Sequence, residues 1–167
     1  MPDNEVENLI ANMADALAAK LAKVDKNNQV MIGIHSGGVW IAEQLHKQLG
    51  LEQPLGSLDI SFYRDDFSRI GINPQVKPSK LPISVDDKHI ILVDDILHTG
   101  RTIRAALNEI FDYGRPAAVT LAVLGERSGR ELPIQPDVVG KHIQLSEAEH
   151  IKLIGPDDLR LVVSKAP

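Results

Sequence analysis

Residues 89–102 read His89-Ile90-Ile91-Leu92-Val93-Asp94-Asp95-Ile96-Leu97-His98-Thr99-Gly100-Arg101-Thr102. The unbroken apolar run to Val93 has the pattern of a strand buried on both faces of a parallel sheet. It ends on two adjacent carboxylates, and open parallel sheets bind ligands at the carboxyl ends of their strands. Thr99 and Gly100 then open a helix whose Ile103, Leu107, Ile110 and Phe111 are spaced to share one face. A helix start offers unpaired N–H groups and partial positive charge to a phosphate. Gly100 lets the backbone come close, and the hydroxyls of Thr99 and Thr102 add donors. The carboxylates can accept from vicinal sugar hydroxyls. A diol beside a phosphomonoester is a ribose 5-phosphate, so the stretch predicts both a sheet and a ligand. Asp-Asp alone is better read as a strand end, with Thr99 or Thr102 as a helix cap. A phospho-acceptor receiver domain also sets acids at strand ends. It would need a further strand ending in Asp and another in Lys, and neither stands out here.

Working outward, Val30-Met31-Ile32-Gly33-Ile34 is a second buried strand, entering the turn His35-Ser36-Gly37-Gly38. Helical spacing resumes through Val39, Ile41, Ala42 and Leu45 and stops at Gly50. Before it, Val6, Ile10, Met13, Leu17 and Leu21 lay one apolar stripe along a helix. Leu58, Ile60 and Phe62 alternate with Asp59, Ser61 and Tyr63, as in a strand. From Arg64 to Asp87 periodicity fails, and Gly71, Pro74, Pro78 and Pro82 punctuate a connection long enough to be a lid, a binding loop or a disordered surface excursion. Ala117–Leu124 reads as another strand, and Val138-Val139, Ile151–Ile154 and Leu159–Val163 as short terminal ones. Strands alternating with helices predict an α/β fold with a largely parallel sheet.

The chain has 167 residues, which suits one domain. With 43% hydrophobic and 25% charged residues it is an ordinary globular chain, not a disordered one. A net charge of −5 argues against a surface built as a whole for nucleic acid or anionic membrane, though a local basic patch stays open. The absence of cysteine excludes a disulfide scaffold, a thiolate nucleophile and a Cys-ligated zinc site. No run approaches the ~20 apolar residues of a membrane span. Met1-Pro2-Asp3-Asn4-Glu5 lacks the features of a secretion signal, so a cytoplasmic location is expected.

Ile91 to Thr102 resembles the phosphoribosyl pyrophosphate (PRPP) signature of the type I phosphoribosyltransferases. Tyr63-Arg64-Asp65-Asp66, Asp112-Tyr113-Gly114-Arg115-Pro116, and Arg130-Glu131-Leu132-Pro133-Ile134 with Gly140-Lys141 resemble the PyrR group. These are bifunctional pyrimidine-operon regulators and uracil phosphoribosyltransferases. The likeness runs in order along nearly the whole chain.

The resemblance implies a type I phosphoribosyltransferase fold in a single domain, residues 1–167. Its central sheet is flanked by helices and carries a mobile loop at about 64–87 and a small hood. Asp94 and Asp95 would hold the ribose hydroxyls and touch Mg2+ indirectly, through PRPP. Leu97, His98, Thr99, Gly100, Arg101 and Thr102 would cradle the 5-phosphate. His98 stands where PyrR proteins often carry Tyr, and its backbone N–H alone is expected to serve. His35, Ser36, Gly37 and Gly38 match the pyrophosphate loop, a candidate for a cis or strained peptide. PyrR relatives often carry Arg at the position of Gly37. An ordinary strand-to-helix turn would read the same.

Arg64 would pair with pyrophosphate, joining Asp94 and Asp95 as the catalytic set, and Asp65 or Asp66 would help hold the metal-bound ligand. Glu126 and Arg127 are the candidates for base binding. They lie where relatives typically read Val-Asp-Arg-Gly and this chain reads Gly125-Glu126-Arg127-Ser128. The implied reaction is uracil plus PRPP giving UMP plus pyrophosphate. The implied regulation is attenuation, with UMP or UTP sensed in the same pocket and the pyr leader RNA bound through Arg115, Arg130 and Lys141. Alternatives are an RNA-binding regulator with little or no activity, or an enzyme for hypoxanthine or orotate. A homodimer or higher oligomer is expected.

Overall fold

The structure is a computed structural model describing residues 5–60 and 79–165. Helix α1, Glu5–Lys20, buries Val6, Ile10, Met13 and Leu17 as its stripe requires. Strand β1, Gln29–Ile34, is buried throughout. Helix α2, Gly37–Leu49, ends at Gly50, whose left-handed backbone (φ 60°) lets its N–H reach the carbonyls of His46 and Lys47. Strand β2 is Gly56–Leu58, β3 is His89–Leu97, and helix α3 is Arg101–Tyr113. Strand β4 is Ala118–Arg127 and β5 is Val138–Ile143. Strands β6, Glu149–Ile154, and β7, Arg160–Lys165, close the described chain as an antiparallel hairpin.

The first five strands form one parallel sheet in the order β2-β1-β3-β4-β5. Alternation along each strand divides the core in two. Met31, Ile91, Val93, Ala122 and Leu124 pack under α1 and α2. Ile32, Ile34, Leu58, Ile90, Leu92 and Val123 pack under α3. The hairpin's Leu153 and Leu159 join the α1/α2 side, which seats the hood on the core. The type I phosphoribosyltransferase fold is thus present, with a parallel sheet, flanking helices and a small hood.

Some local expectations change. Strand β3 does not stop at the acids. It runs on to Leu97, because β4 extends to Arg127 and supplies partners for Asp94, Ile96 and Leu97. Strand β2 is shorter than the alternation of Leu58 to Phe62 implied, and Ile60 is buried outside it. Phe111 is 55% exposed. Ala106 rather than Phe111 completes the buried face of α3, and at 3.6 residues per turn Phe111 falls roughly 100° from its centre. Of the expected loop at 64–87, residues up to 78 lie outside the described residues. Its described end begins with Ser79, and the next residue, Lys80, exchanges two backbone hydrogen bonds of 2.8 Å with Ser57. Among the described residues no helix is long and apolar enough to cross a membrane.

Candidate active site

The order β2-β1-β3-β4-β5 puts the sheet's switch point between β1 and β3, where connections leave toward opposite faces and a crevice opens at the carboxyl ends. The turn after β1 and the loop after β3 both lie there. The His35–Ser36 peptide is cis. Neither helix start at this crevice is capped by the side chain of its own N-cap residue. Ser36 precedes α2 and Gly100 precedes α3 with no capping bond from either residue's own side chain, although at α3 the Arg101 N–H is taken by Thr99 Oγ1.

The backbone packs closely where these loops meet. A Cβ on Gly37 would fall on the Asp95 carboxylate, and one on Gly38 would lie 2.5 Å from the Val93 carbonyl oxygen. Gly100 adopts φ 99°, a left-handed conformation suited to glycine.

Asp94 is buried, and its Oδ1 accepts the Asp95 N–H at 2.8 Å. Asp95 is half-buried, and its Oδ1 accepts the Ile96 N–H at 2.7 Å. Thr99 Oγ1 accepts the Arg101 N–H at 3.2 Å, turning the loop into α3. Asp94, Leu97, His98, Thr99, Gly100 and Thr102 line one cavity of about 150 Å³. Six of the sequence-predicted residues therefore share one cradle, with Asp95 beside it against Gly37. The side chain of Arg101 does not join them. It pairs with Glu131 at 3.0 Å on the surface.

The cradle is braced from behind by the segment Arg130–Ile134. The N–H groups of Glu131 and Leu132 both donate to Thr99 O at 3.0 Å. Arg130 donates from Nε to His98 O at 2.9 Å and from Nη1 to Ile134 O at 2.6 Å, and it pairs through Nη2 with the Glu126 carboxylate. Glu126 also meets His142 Nδ1 at 3.1 Å. Arg130 had no structural role in the sequence reading. Its one sequence signal is the opposite charge of Glu126 four residues earlier.

Arg127 is 7% exposed, and its guanidinium donates to the carbonyls of Ser128, Ser146 and Glu149, stitching β4 to the hood. The proposed RNA contacts do not form one patch. Arg115 precedes β4 and Arg130 follows it, and ten residues of strand separate them by ~30 Å. Lys141, on β5, is paired with Glu5 at 3.2 Å. Arg64, Asp65 and Asp66 lie outside the described residues.

Burial holds the His98 imidazole below its ordinary proton affinity. Arg127, His150 and Arg130 act in the same direction and Glu131 opposes them. Among the described residues no three His, Cys, Asp or Glu side chains converge as a metal cage. Two carboxylates at the cradle are the donor set that suits Mg2+ already coordinated by phosphate oxygens.

The chain matches the phosphoribosyl transferase domain over residues 4–157. It is 60% identical over 160 residues to the bifunctional protein PyrR of Nitrosococcus oceani, covering 95% of this chain and 90% of that protein. It is 57% identical over 153 residues to the bifunctional protein PyrR of Pseudomonas paraeruginosa, covering 92% and 90%. Among solved structures, a purine phosphoribosyltransferase from Pyrococcus horikoshii superposes with a TM-score of 0.64 at 24% identity, covering 90% of this chain and 93% of that one. A hypoxanthine-guanine phosphoribosyltransferase from Bacillus anthracis gives 0.66 at 17% identity, covering 85% and 79%. At such identities the structural likeness concerns the fold.

Proposed function

The chain belongs to the phosphoribosyl transferase domain family and, within it, to the PyrR group, and from that premise we propose that it is a uracil phosphoribosyltransferase that also regulates pyrimidine gene expression. The observation that carries the catalytic reading is the pair Asp94 and Asp95 at the β1/β3 switch point, flanked by the starts of α2 and α3.

In this reading the N–H groups and hydroxyls from Leu97 to Thr102 hold the 5-phosphate, and Asp94 and Asp95 accept the ribose hydroxyls. The amides of Ser36, Gly37 and Gly38 take the pyrophosphate. A ring nitrogen of uracil forms a bond to ribose C1 as the C1–O bond to pyrophosphate breaks, and the nitrogen's proton is released. The transition state has oxocarbenium character, as in glycosyl transfer generally. The protein's contribution is orientation: the diol fixed by the acids, the phosphate by the loop, and the leaving group by the turn after β1. Mg2+ bound with PRPP, beside Asp94 and Asp95, would neutralise charge on the leaving pyrophosphate. Arg64 is proposed to pair with that leaving group.

The regulatory half rests on kinship with relatives named bifunctional. The ligand would be the pyr leader RNA, with UMP or UTP read in the same cradle. Arg115 and Lys141 remain candidate phosphate contacts, whereas Arg130 is committed to the loop. A homo-oligomer belongs to this proposal.

The test is a panel of uracil, orotate, hypoxanthine and guanine with radiolabelled PRPP and Mg2+, alongside leader-RNA binding over a salt series. Turnover of uracil, with RNA affinity falling steeply as salt rises, is expected. Turnover of a different base alone would refute the substrate, and salt-insensitive or absent RNA binding would refute the regulator.

A further inference from the structure

We propose that the imidazole of His98 is a wall of the base compartment and a specificity-determining contact for the base, over and above the backbone N–H its loop contributes to the phosphate cradle. This rests on the ribose-phosphate reading of that cradle.

A base joined to ribose C1 must occupy space continuous with the cradle. Two cavities of about 300 Å³ each flank the segment 126–130. One is lined by His98, Arg127, Ser128, Gly129, Leu145 and His150, among others. The other is lined by Glu126, Arg130, His142 and Gln144, together with the shared segment. His98 also lines the cradle, so the first cavity adjoins it, whereas the second shares no lining residue with it. Of the two residues considered for base binding, Arg127 therefore borders the adjoining compartment. Glu126 belongs to the other side, where Arg130 and His142 engage its carboxylate.

The ring of His98 has a seat made for it. Gly129 adopts φ 113°, and a Cβ there would come within 2.8 Å of His98 Nε2. The backbone is bare where the imidazole lies. The groups acting on that ring are Arg127, Arg130, Glu131 and His150, and with burial their balance favours the neutral imidazole. A neutral imidazole has one N–H donor and one lone-pair acceptor. The two nitrogens point away from each other, so the ring meets one group of a base at a time, and a carbonyl oxygen or a ring N–H of a pyrimidine-2,4-dione can be that group. The Arg127 guanidinium behind it is tied to carbonyl oxygens and has no carboxylate partner among the described residues. The same compartment is lined by the carboxylates of Glu131 and Glu147, so its polar wall carries both signs of charge.

The test compares His98→Ala, His98→Gln and Gly129→Ala with the unaltered protein. Calorimetry gives Kd for UMP and for ribose 5-phosphate, and kinetics give KM for uracil and for PRPP. His98→Ala should weaken UMP and raise KM for uracil about tenfold, the factor set by one lost contact of about 1.4 kcal/mol. Ribose 5-phosphate and PRPP should move less than about twofold on the same scale. His98→Gln, which keeps a donor and an acceptor, should recover part of the loss. Gly129→Ala should reproduce the His98→Ala pattern by displacing the ring. Equal weakening of UMP and ribose 5-phosphate, or no change in either, would overturn the proposal while leaving the cradle intact. Failure of the unaltered protein to bind ribose 5-phosphate would overturn the cradle reading first.

Discussion

Replacing Arg130 with methionine removes the brace behind the phosphate cradle while keeping an apolar stem of similar length. Three contacts disappear: the bond to His98 O at 2.9 Å, the bond to Ile134 O at 2.6 Å, and the pairing with Glu126. A hydrogen bond from a charged donor contributes ~1.5–3 kcal/mol. The Arg130 and Glu126 side chains are 22% and 20% exposed, and His142 remains beside the orphaned carboxylate. The loss therefore falls at the low end of the 3–5 kcal/mol of breaking a buried pair, at about 3 kcal/mol in all. For a chain of this size that lowers the melting midpoint by roughly 6–12 °C. Because the released carbonyl belongs to His98, inside the loop that holds the 5-phosphate, KM for PRPP should also rise well below the melting range. Calorimetric melts and initial rates at 20 °C measure both. Glu126→Gln with Arg130→Met completes a cycle whose coupling should exceed 0.5 kcal/mol. A variant melting within 2 °C of the parent with unchanged KM for PRPP would refute the brace.

Asp94→Asn combined with Asp95→Asn should abolish PRPP turnover with a stability loss of ~1 kcal/mol, because each amide keeps one acceptor oxygen; undiminished UMP formation would contradict the diol assignment. Arg127→Met leaves the carbonyls of Ser146 and Glu149 without their donor. Backbone amides of β6 and β7 should then exchange with solvent faster than those of β1 and β3, and uniform exchange rates would count against Arg127 as the hood's tether. Burial raises the Glu109 carboxyl above the ordinary glutamate range, against a hydrogen bond from Ser79 and with help from Asp59 and Asp112. The folded chain then keeps a proton the unfolded chain has released, so stability should fall as pH rises from that range through the raised folded value, and level off beyond. Urea midpoints against pH should show that decline in the parent and lose it in Glu109→Gln.

The sheet could be read in advance because its information is local. Val30–Ile34 and His89–Val93 are apolar runs that only a doubly covered strand accommodates; the first matches its strand to within one residue and the second matches at its start. The cradle was legible for the same reason, as one continuous loop from Leu97 to Thr102 supplies it. What escaped depends on partners distant in sequence. Nothing in Arg130 announces that its fork ends on the carbonyls of His98 and Ile134, since every residue has a carbonyl. Arg130 therefore looked like a surface cation, and Lys141 gave no hint of Glu5, 136 residues away. Strand β3 outran its predicted end because the length of β4 governs how far the ladder continues. Phe111 satisfied helical spacing yet faces solvent, because the tilt of a face depends on which sheet residues lie beneath it.

At the turn after β1, a single hydrogen atom stands where Asp95 needs room. An engineer who installs at position 37 the arginine that kindred chains often carry displaces an acid, not water. The change is a two-site edit: the carboxylate must be rehoused before the new cation can be judged on its merits. A scan that varies 37 alone would score the eviction of Asp95 as the worth of the arginine, and only libraries that vary 37 and 95 jointly can separate the two.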